Sequence, residues 1–285
     1  MTDLITLQDH HGQPAVHIQS PDGAQATVLL HGAHVVSWVP AGGTEQLYLS
    51  PKADDSAGKA IRGGVPVIFP QFEQKGPDRS LPRHGLVRDR SWQLESQRQS
   101  TSHAQATFQL TDSEETRDLW PHGFELELTV SVSGPDLELE LYVRNSGTTT
   151  WPFSAALHTY LMVSDLAQVR LQGLVGHTYI DNLTGGEAVE DHVEKRFSGE
   201  IDRIYENSTK LLLIEGRRRV GIVSDNLPDA VVWNPGPDKC ATLSDMPADD
   251  WQHLLCVEAA RILEPQTLSP GEEWTGRQSL SLLSA

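Results

Sequence analysis

The 285-residue chain has only two cysteines, Cys240 and Cys256, too few for a disulfide framework or a cysteine-built zinc site. Cys256 lies in the apolar run Leu254-Leu255-Cys256-Val257 and reads as a small core residue. Positive charge is scarce as well: 22 Lys and Arg stand against 39 Asp and Glu, a formal net charge of -17. Such a balance argues against nucleic acid or an anionic membrane surface as the main partner. No apolar run approaches the roughly 18 residues that suggest a membrane span, and Met1 to His10 has no basic start followed by an apolar core. The sequence therefore predicts a cytoplasmic protein. Missing too are G-x-G-x-x-G, a P-loop and G-x-S-x-G, so hydride transfer, nucleotide hydrolysis and serine acyl transfer lose their usual support. No two histidines stand in an H-E-x-x-H or similar ligand spacing. His10-His11 is an adjacent pair near what reads as a mobile end, and no metal site is predicted.

What is present is the composition of a folded globular protein, with 38% hydrophobic and 21% charged residues, enough for a sizeable core. The clearest periodic signal is Phe124-x-Leu126-x-Leu128-x-Val130-x-Val132, followed after Ser133-Gly134-Pro135-Asp136 by Leu137-x-Leu139-x-Leu141-x-Val143. Alternation on both sides of a turn predicts two antiparallel strands, each with one buried face. Further strand-like pieces lie at 25–30, 34–39, 92–94, 105–110, 169–171, 210–214, 220–224, 230–233, 254–259 and 278–283. Helical patterning is scarce, the best short candidate being Asp112 to Leu119, with Asp112 or Ser113 as cap and Pro121 beyond its end. No repeat, linker or low-complexity segment divides the chain. It reads as all-β, one domain over 1–285, a large antiparallel β-sandwich with a few short helices. Nothing in the sequence bears on oligomeric state, and a monomer is the default expectation.

Charge is unevenly spread. Between Lys59 and Arg90 seven basic residues (Lys59, Arg62, Lys75, Arg79, Arg83, Arg88, Arg90) meet three acidic ones (Glu73, Asp78, Asp89). A basic island in an acidic chain suits a small anion better than a nucleic acid, which needs a broad basic face. Within it, two glycines and two prolines in Ile61-Arg62-Gly63-Gly64-Val65-Pro66-Val67-Ile68-Phe69-Pro70 fix the backbone around Arg62. Arg62 and Arg88 would then grip a phosphate bidentately, or the cluster is a solvated surface. His158 interrupts the apolar stretch Ala155-Ala156-Leu157-His158-Thr159-Tyr160-Leu161, and His84 and His31 also stand out by their neighbours. Each is either a hydrogen-bonded structural histidine or a functional one. Glu258 is a carboxylate inside the buried-looking run Leu254 to Ala260. Either a strand edge exposes it or it points into a pocket, where desolvation would make it a better base near neutral pH.

Six motifs in order carry a resemblance. They are Ile61-Arg62-Gly63-Gly64-Val65-Pro66 with Phe69-Pro70, Pro82-Arg83-His84-Gly85-Leu86-Val87-Arg88, Leu157-His158-Thr159-Tyr160, Ile201-Asp202-Arg203-Ile204-Tyr205, Val232-Trp233-Asn234-Pro235 and Cys256-Val257-Glu258-Ala259. Together they resemble the glucose-6-phosphate 1-epimerase family, also called D-hexose-6-phosphate mutarotases, of the aldose 1-epimerase group. The resemblance runs from about residue 25 to the end. It implies a galactose-mutarotase-like supersandwich and a cofactor-free isomerase that interconverts the α and β anomers of a small-molecule hexose phosphate. It also implies that His158 is the general acid, Glu258 the general base, and His84 and Asp202 ligands of sugar hydroxyls. Arg62 and Arg88, with Lys75, would hold the phosphate. Two alternatives remain open: a mutarotase of free hexoses, and a carbohydrate-binding sandwich without catalysis. The chain departs from many relatives at Gly236, where they carry tryptophan, and at Ala259-Ala260, where a proline often follows the glutamate.

Overall fold

The computed structural model describes residues 4–53, 60–75 and 80–284. Of the basic island, Lys59, Asp78 and Arg79 lie outside the described residues. The strands form three antiparallel sheets of four, eight and nine strands, and the helices Glu114–Leu119 and Gly236–Cys240 are short. Among the described residues no helix is long and apolar enough to cross a membrane.

The strongest sequence signal sits in the nine-stranded sheet. Phe124–Ser133 pairs with Asp136–Asn145, Ser133 opposite Asp136, and every apolar residue of the alternation is buried. The predicted helix is Glu114–Leu119: the Ser113 side chain accepts from the Thr116 amide, and the Thr116 hydroxyl accepts from the Ser113 amide, closing a reciprocal cap. The four-stranded sheet, in contrast, begins with two strands the pattern does not mark, Ile5–His10 and Gln13–Gln19. Ile5–His10 hides its β character because it buries only Ile5 fully while Leu7 is exposed. His10-His11 therefore belongs to a hairpin, where His11 and Gly12 take positive φ.

The eight-stranded sheet runs in the order Gly186–Val189, Thr178–Asp181, Ile201–Tyr205, Asp229–Asn234, Leu254–Leu268, Trp151–Leu157, Val67–Ile68, with Tyr160–Met162 also paired to Leu254–Leu268. One face packs into the main core: Ile201 and Tyr205, Ala230 and Val232, Leu255, Val257 and Ala259, Phe153, Ala155, Leu157 and Leu161. The residues between them point the other way, as the two-residue period of a strand demands. On that outer face lie two small apolar clusters, one around Ile68, Phe72, Ala156, Ile204, Val231 and Ala260, the other around Tyr48, Tyr160, Cys240, Met246 and Cys256. Polar side chains occupy the ground between them.

Candidate active site

Strand register assembles the site. Ile204 faces Val231 and Val231 faces Glu258, while one step along Asp202 faces Trp233 and Trp233 faces Cys256. Leu157 pairs with Ala259 and Tyr160 with Cys256, so the same register carried across the break between the two strands sets His158 opposite Glu258. Two adjacent rows thus cross the outer face: Ile204, Val231, Glu258, His158, and Asp202, Trp233, Cys256, Tyr160. Side chains opposed in this way stand about 4.5–5.5 Å apart at Cβ. Glu258 lies on an interior strand, which removes the exposed-edge alternative, and it is 2% exposed. The rows floor a cavity of about 180 Å³ lined by Arg62, Arg83, His84, Arg88, His158, Tyr160, Asp202, Trp233, Lys239 and Glu258, with Phe72, Glu73, Val231 and Leu243.

His158 Nδ1 lies 3.3 Å from Glu258 Oε1. The contact is close but not aligned as a hydrogen bond, and neither His158 Nδ1 nor Glu258 Oε2 has a hydrogen-bond partner among the described residues. Aromatic packing holds the imidazole instead. Tyr160 stacks on it at 4.7 Å with planes 9° apart, and His84 and Trp233 meet it edge-on at 5.7 and 6.3 Å. Burial holds the imidazole well below its ordinary pKa, and His84, Arg62 and Arg88 add to the effect. Burial likewise raises the Glu258 carboxyl well above the usual range, helped by the negative charges of Asp202 and Glu73. Two buried groups in contact, with pKa values shifted in opposite directions, are an arrangement able to pass a proton between them.

Arg62 arrives on the loop before Val67–Ile68. That loop runs beside the histidine segment, with the His158 amide donating to Pro66 O at 3.0 Å and the Tyr160 amide to Gly64 O at 2.9 Å. Gly64 has φ 60, and a Cβ there would lie 2.2 Å from Val35 O, so the glycine is what allows the close passage. Arg62 Nε donates to Asp245 Oδ2 at 3.1 Å, and Nη1 to the Tyr160 hydroxyl at 3.3 Å. Burial opposes its charge, but Tyr160 and Asp245 outweigh that and hold its pKa above the ordinary guanidinium value. Arg88 Nη2 donates to Arg83 O at 3.1 Å, and among the described residues Arg88 forms no salt bridge. Burial and the charges of Arg62 and Arg83 depress its pKa. Two guanidinium groups, one of them in no salt bridge among the described residues, face the same cavity as the histidine–glutamate pair.

His84 has φ 67 and is clamped to Glu73, itself at φ 51. The His84 amide donates to Glu73 O at 2.9 Å, and the Glu73 amide donates to His84 Nδ1 at 3.2 Å. Nδ1 is therefore an acceptor, which puts the imidazole proton on Nε2 as a donor. Burial and three arginines push its pKa down to about 3, so it stays neutral. Asp202 accepts from Asn182 Nδ2 at 2.7 Å, and burial raises its pKa. Lys75 does not line the cavity: its ammonium donates to Asn182 Oδ1 and lies 3.5 Å from Glu73 Oε2. His31 lies outside the lining as well.

The sequence reading missed Tyr160, Trp233, Arg83, Lys239 and Asp245. Tyr160 follows His158 by two residues, the strand period, and Trp233 lies in one of the quoted motifs, so both had a signal. Asp245 and Lys239 come from the segment after Asn234 and had none. Gly236 has φ 61, and a Cβ there would sit 2.4 Å from the Glu200 amide nitrogen, so this backbone excludes the tryptophan of other relatives. Among the described residues the one group of metal-ligand types is Glu190, Asp191 and His192, outside the cavity lining. Glu190 is already engaged by Lys195, Arg203 and Tyr205.

The sequence pattern of the aldose 1-epimerase family matches residues 14–281. A protein of Cenchrus ciliaris, provisionally named glucose-6-phosphate 1-epimerase, is 38% identical over 269 residues, covering 90% of this chain and 80% of its own. A crystal structure from Salmonella typhimurium, provisionally named a mutarotase, superposes with a TM-score of 0.91 at 29% identity over 100% of this chain and 95% of the other. A galactose mutarotase related enzyme from Lactobacillus acidophilus, TM-score 0.77 and 18% identical over 95% and 97% of the two chains, shares the fold. By this match and this likeness, the chain belongs to the aldose 1-epimerase family.

Proposed function

We propose that the protein is a hexose-6-phosphate mutarotase, an isomerase that interconverts the anomers of glucose 6-phosphate by opening and reclosing the pyranose ring. The observation that carries this reading is the juxtaposition of the His158–Glu258 contact with Arg62 and Arg88 around one cavity. Glu258 takes the proton of the C1 hydroxyl as the C1–O1 bond gains carbonyl character. The C1–O5 bond breaks, and the ring oxygen receives a proton from His158. After rotation about C1–C2 the transfers run in reverse and the other anomer closes. Assistance of this kind contributes about 10²–10⁴-fold per group. Neutral His84 donates through Nε2 and Asp202 accepts, so both serve the sugar hydroxyls, while Arg62 and Arg88 hold the phosphate. Lys75 takes no direct part, because its ammonium is spent on Asn182 and Glu73. A buried cluster that draws on all three sheets, from Ile5 to Leu280, supports reading 1–285 as one domain.

The names of the relatives point to the phosphorylated sugar, and Arg88 supplies a chain-specific reason for it, a half-buried guanidinium without a salt bridge among the described residues. The test is NMR exchange between anomers of glucose 6-phosphate and glucose. Arg88→Ala should cost at least about tenfold more kcat/KM on the phosphorylated sugar than on glucose. Equal losses on both sugars would point to a mutarotase of free hexoses. A wild-type protein that leaves both spontaneous rates unchanged would point to a binding sandwich.

A further inference from the structure

His158 Nδ1 lies 3.3 Å from Glu258 Oε1, and neither Nδ1 nor the second carboxylate oxygen has a hydrogen-bond partner among the described residues, so one proton has a short path between the two groups. Where it rests decides whether the pair is ready. Ring opening as described needs the proton on His158 and an ionised Glu258, whereas burial favours the uncharged arrangement, neutral imidazole and protonated carboxyl. The surroundings of the two groups differ. His158 is stacked on Tyr160, whose hydroxyl accepts from Arg62 Nη1 at 3.3 Å, so the anion-binding arginine reaches the back of the very ring that supports the imidazole. Arg88, without a salt bridge among the described residues, lies in the same cavity wall. Glu258, in contrast, has Val231 beside it and carboxylates, Asp202 and Glu73, as its charged neighbours.

We infer that the phosphate of the substrate is an activator as well as an anchor: seated on Arg62 and Arg88, it draws the shared proton from Glu258 onto His158 and so arms the pair. The inference rests on the proposed hexose-phosphate reading and deepens it. A dianion cancels the two cations that oppose a charged imidazole. Those same two arginines are among the groups that depress the His158 pKa, after burial and alongside His84. Arg62 backs the ring stacked on His158, whereas Glu258 has Asp202 and Glu73 as its charged neighbours, so the dianion's effect is unequal across the pair, and inequality is what moves the proton. The charged and titratable groups facing His158 are Glu258 on the neighbouring strand, Tyr160 on its own segment, Arg62 on the loop before it, and His84 and Arg88 on the loop opposite. No bond other than N–H and O–H changes, and no co-reactant is needed. By linkage, an anion that favours a protonated His158 is bound more tightly when that proton is present.

The substrate can be supplied in two pieces. D-xylose is glucose without C6, which leaves room for a free dianion, and sulfate is too weak a base to catalyse mutarotation itself. Anomer exchange of xylose by the wild-type protein, followed by NMR, should rise saturably by about tenfold on adding sulfate, equivalent to about 1.4 kcal/mol in the barrier. In Arg88→Gln the rise should vanish, and Arg88→Lys should restore part of it. At fixed neutral pH, sulfate should also move the ¹⁵N resonances of His158 toward the imidazolium pattern, which a purely anchoring role would not do. Xylose exchange that sulfate leaves unchanged or inhibits, while glucose 6-phosphate is turned over rapidly, overturns the inference and leaves the proposed function standing. So does activation that persists in Arg88→Gln, since sulfate then acts elsewhere. Failure to turn over glucose 6-phosphate removes the proposed function itself.

Discussion

In the proposed reaction Glu258 serves function at the expense of stability. Its carboxyl is 2% exposed and its pKa lies well above the ordinary value, so between those two values the folded chain holds a proton that the unfolded chain has lost. Where the native state binds more protons, stability falls as pH rises, and the loss runs from the ordinary carboxylate value up through the folded one. Glutamine has the same shape and never ionises. Glu258→Gln should therefore melt above the wild type, with a gap that widens from pH 5 to pH 8, each kcal/mol of relief reading as about 2–4 °C. The same substitution should lower kcat about 10²–10⁴-fold with little change in KM. Thermal denaturation and exchange kinetics on one preparation check both halves, and a gap that stays constant with pH would remove Glu258 as the strained group. In the wild type, kcat/KM should fall once pH rises far enough to strip the one proton that Glu258 and His158 share.

At the scale of elements, the segment that carries His158 is tied to the opposite sheet. Thr159 turns away from the cavity, and its hydroxyl donates to Gln278 Oε1, while Gln278 Nε2 donates to Val257 O at 3.1 Å. Gln278 lies in Glu273–Leu283 of the nine-stranded sheet and is fully buried, so one amide braces the neighbours of both His158 and Glu258 from behind. Gln278→Leu should cost about 1–3 kcal/mol by leaving the Thr159 hydroxyl and Val257 carbonyl unpaired. It should also lower kcat, since the gap between the pair is no longer fixed. Wild-type stability in urea would show that the brace is idle. Strand period made part of this legible: His158 and Tyr160, two residues apart, share one face of the sheet and stack. Register was not legible, because Glu258 meets His158 through pairings of residues about a hundred positions apart. Nor was Asp245, which reaches Arg62 across 183 residues from an irregular segment with no periodic pattern. Residues such as these are positioned by loops, where local propensity carries no information about the partner.

For the whole molecule, a net charge of -17 sets a problem for a protein whose proposed substrate is a dianion. Two ranges of interaction compete. The acidic background acts over tens of ångströms only at low salt, the Debye length being about 30 Å at 0.01 M and about 10 Å at 0.1 M. The arginines act over contact distances inside a cavity where Arg62 is 23% exposed, and such partly buried charges are screened much less. Adding salt from 10 to about 100 mM should therefore remove the long-range repulsion first and raise kcat/KM for glucose 6-phosphate; only well above that range should the loss of the Arg62 and Arg88 attraction bring it down. Glucose, which is neutral, should show neither limb. A monotonic fall from 10 mM upward would mean that the cationic mouth dominates the approach at every distance, so that the acidic remainder of the surface has no hold on the encounter.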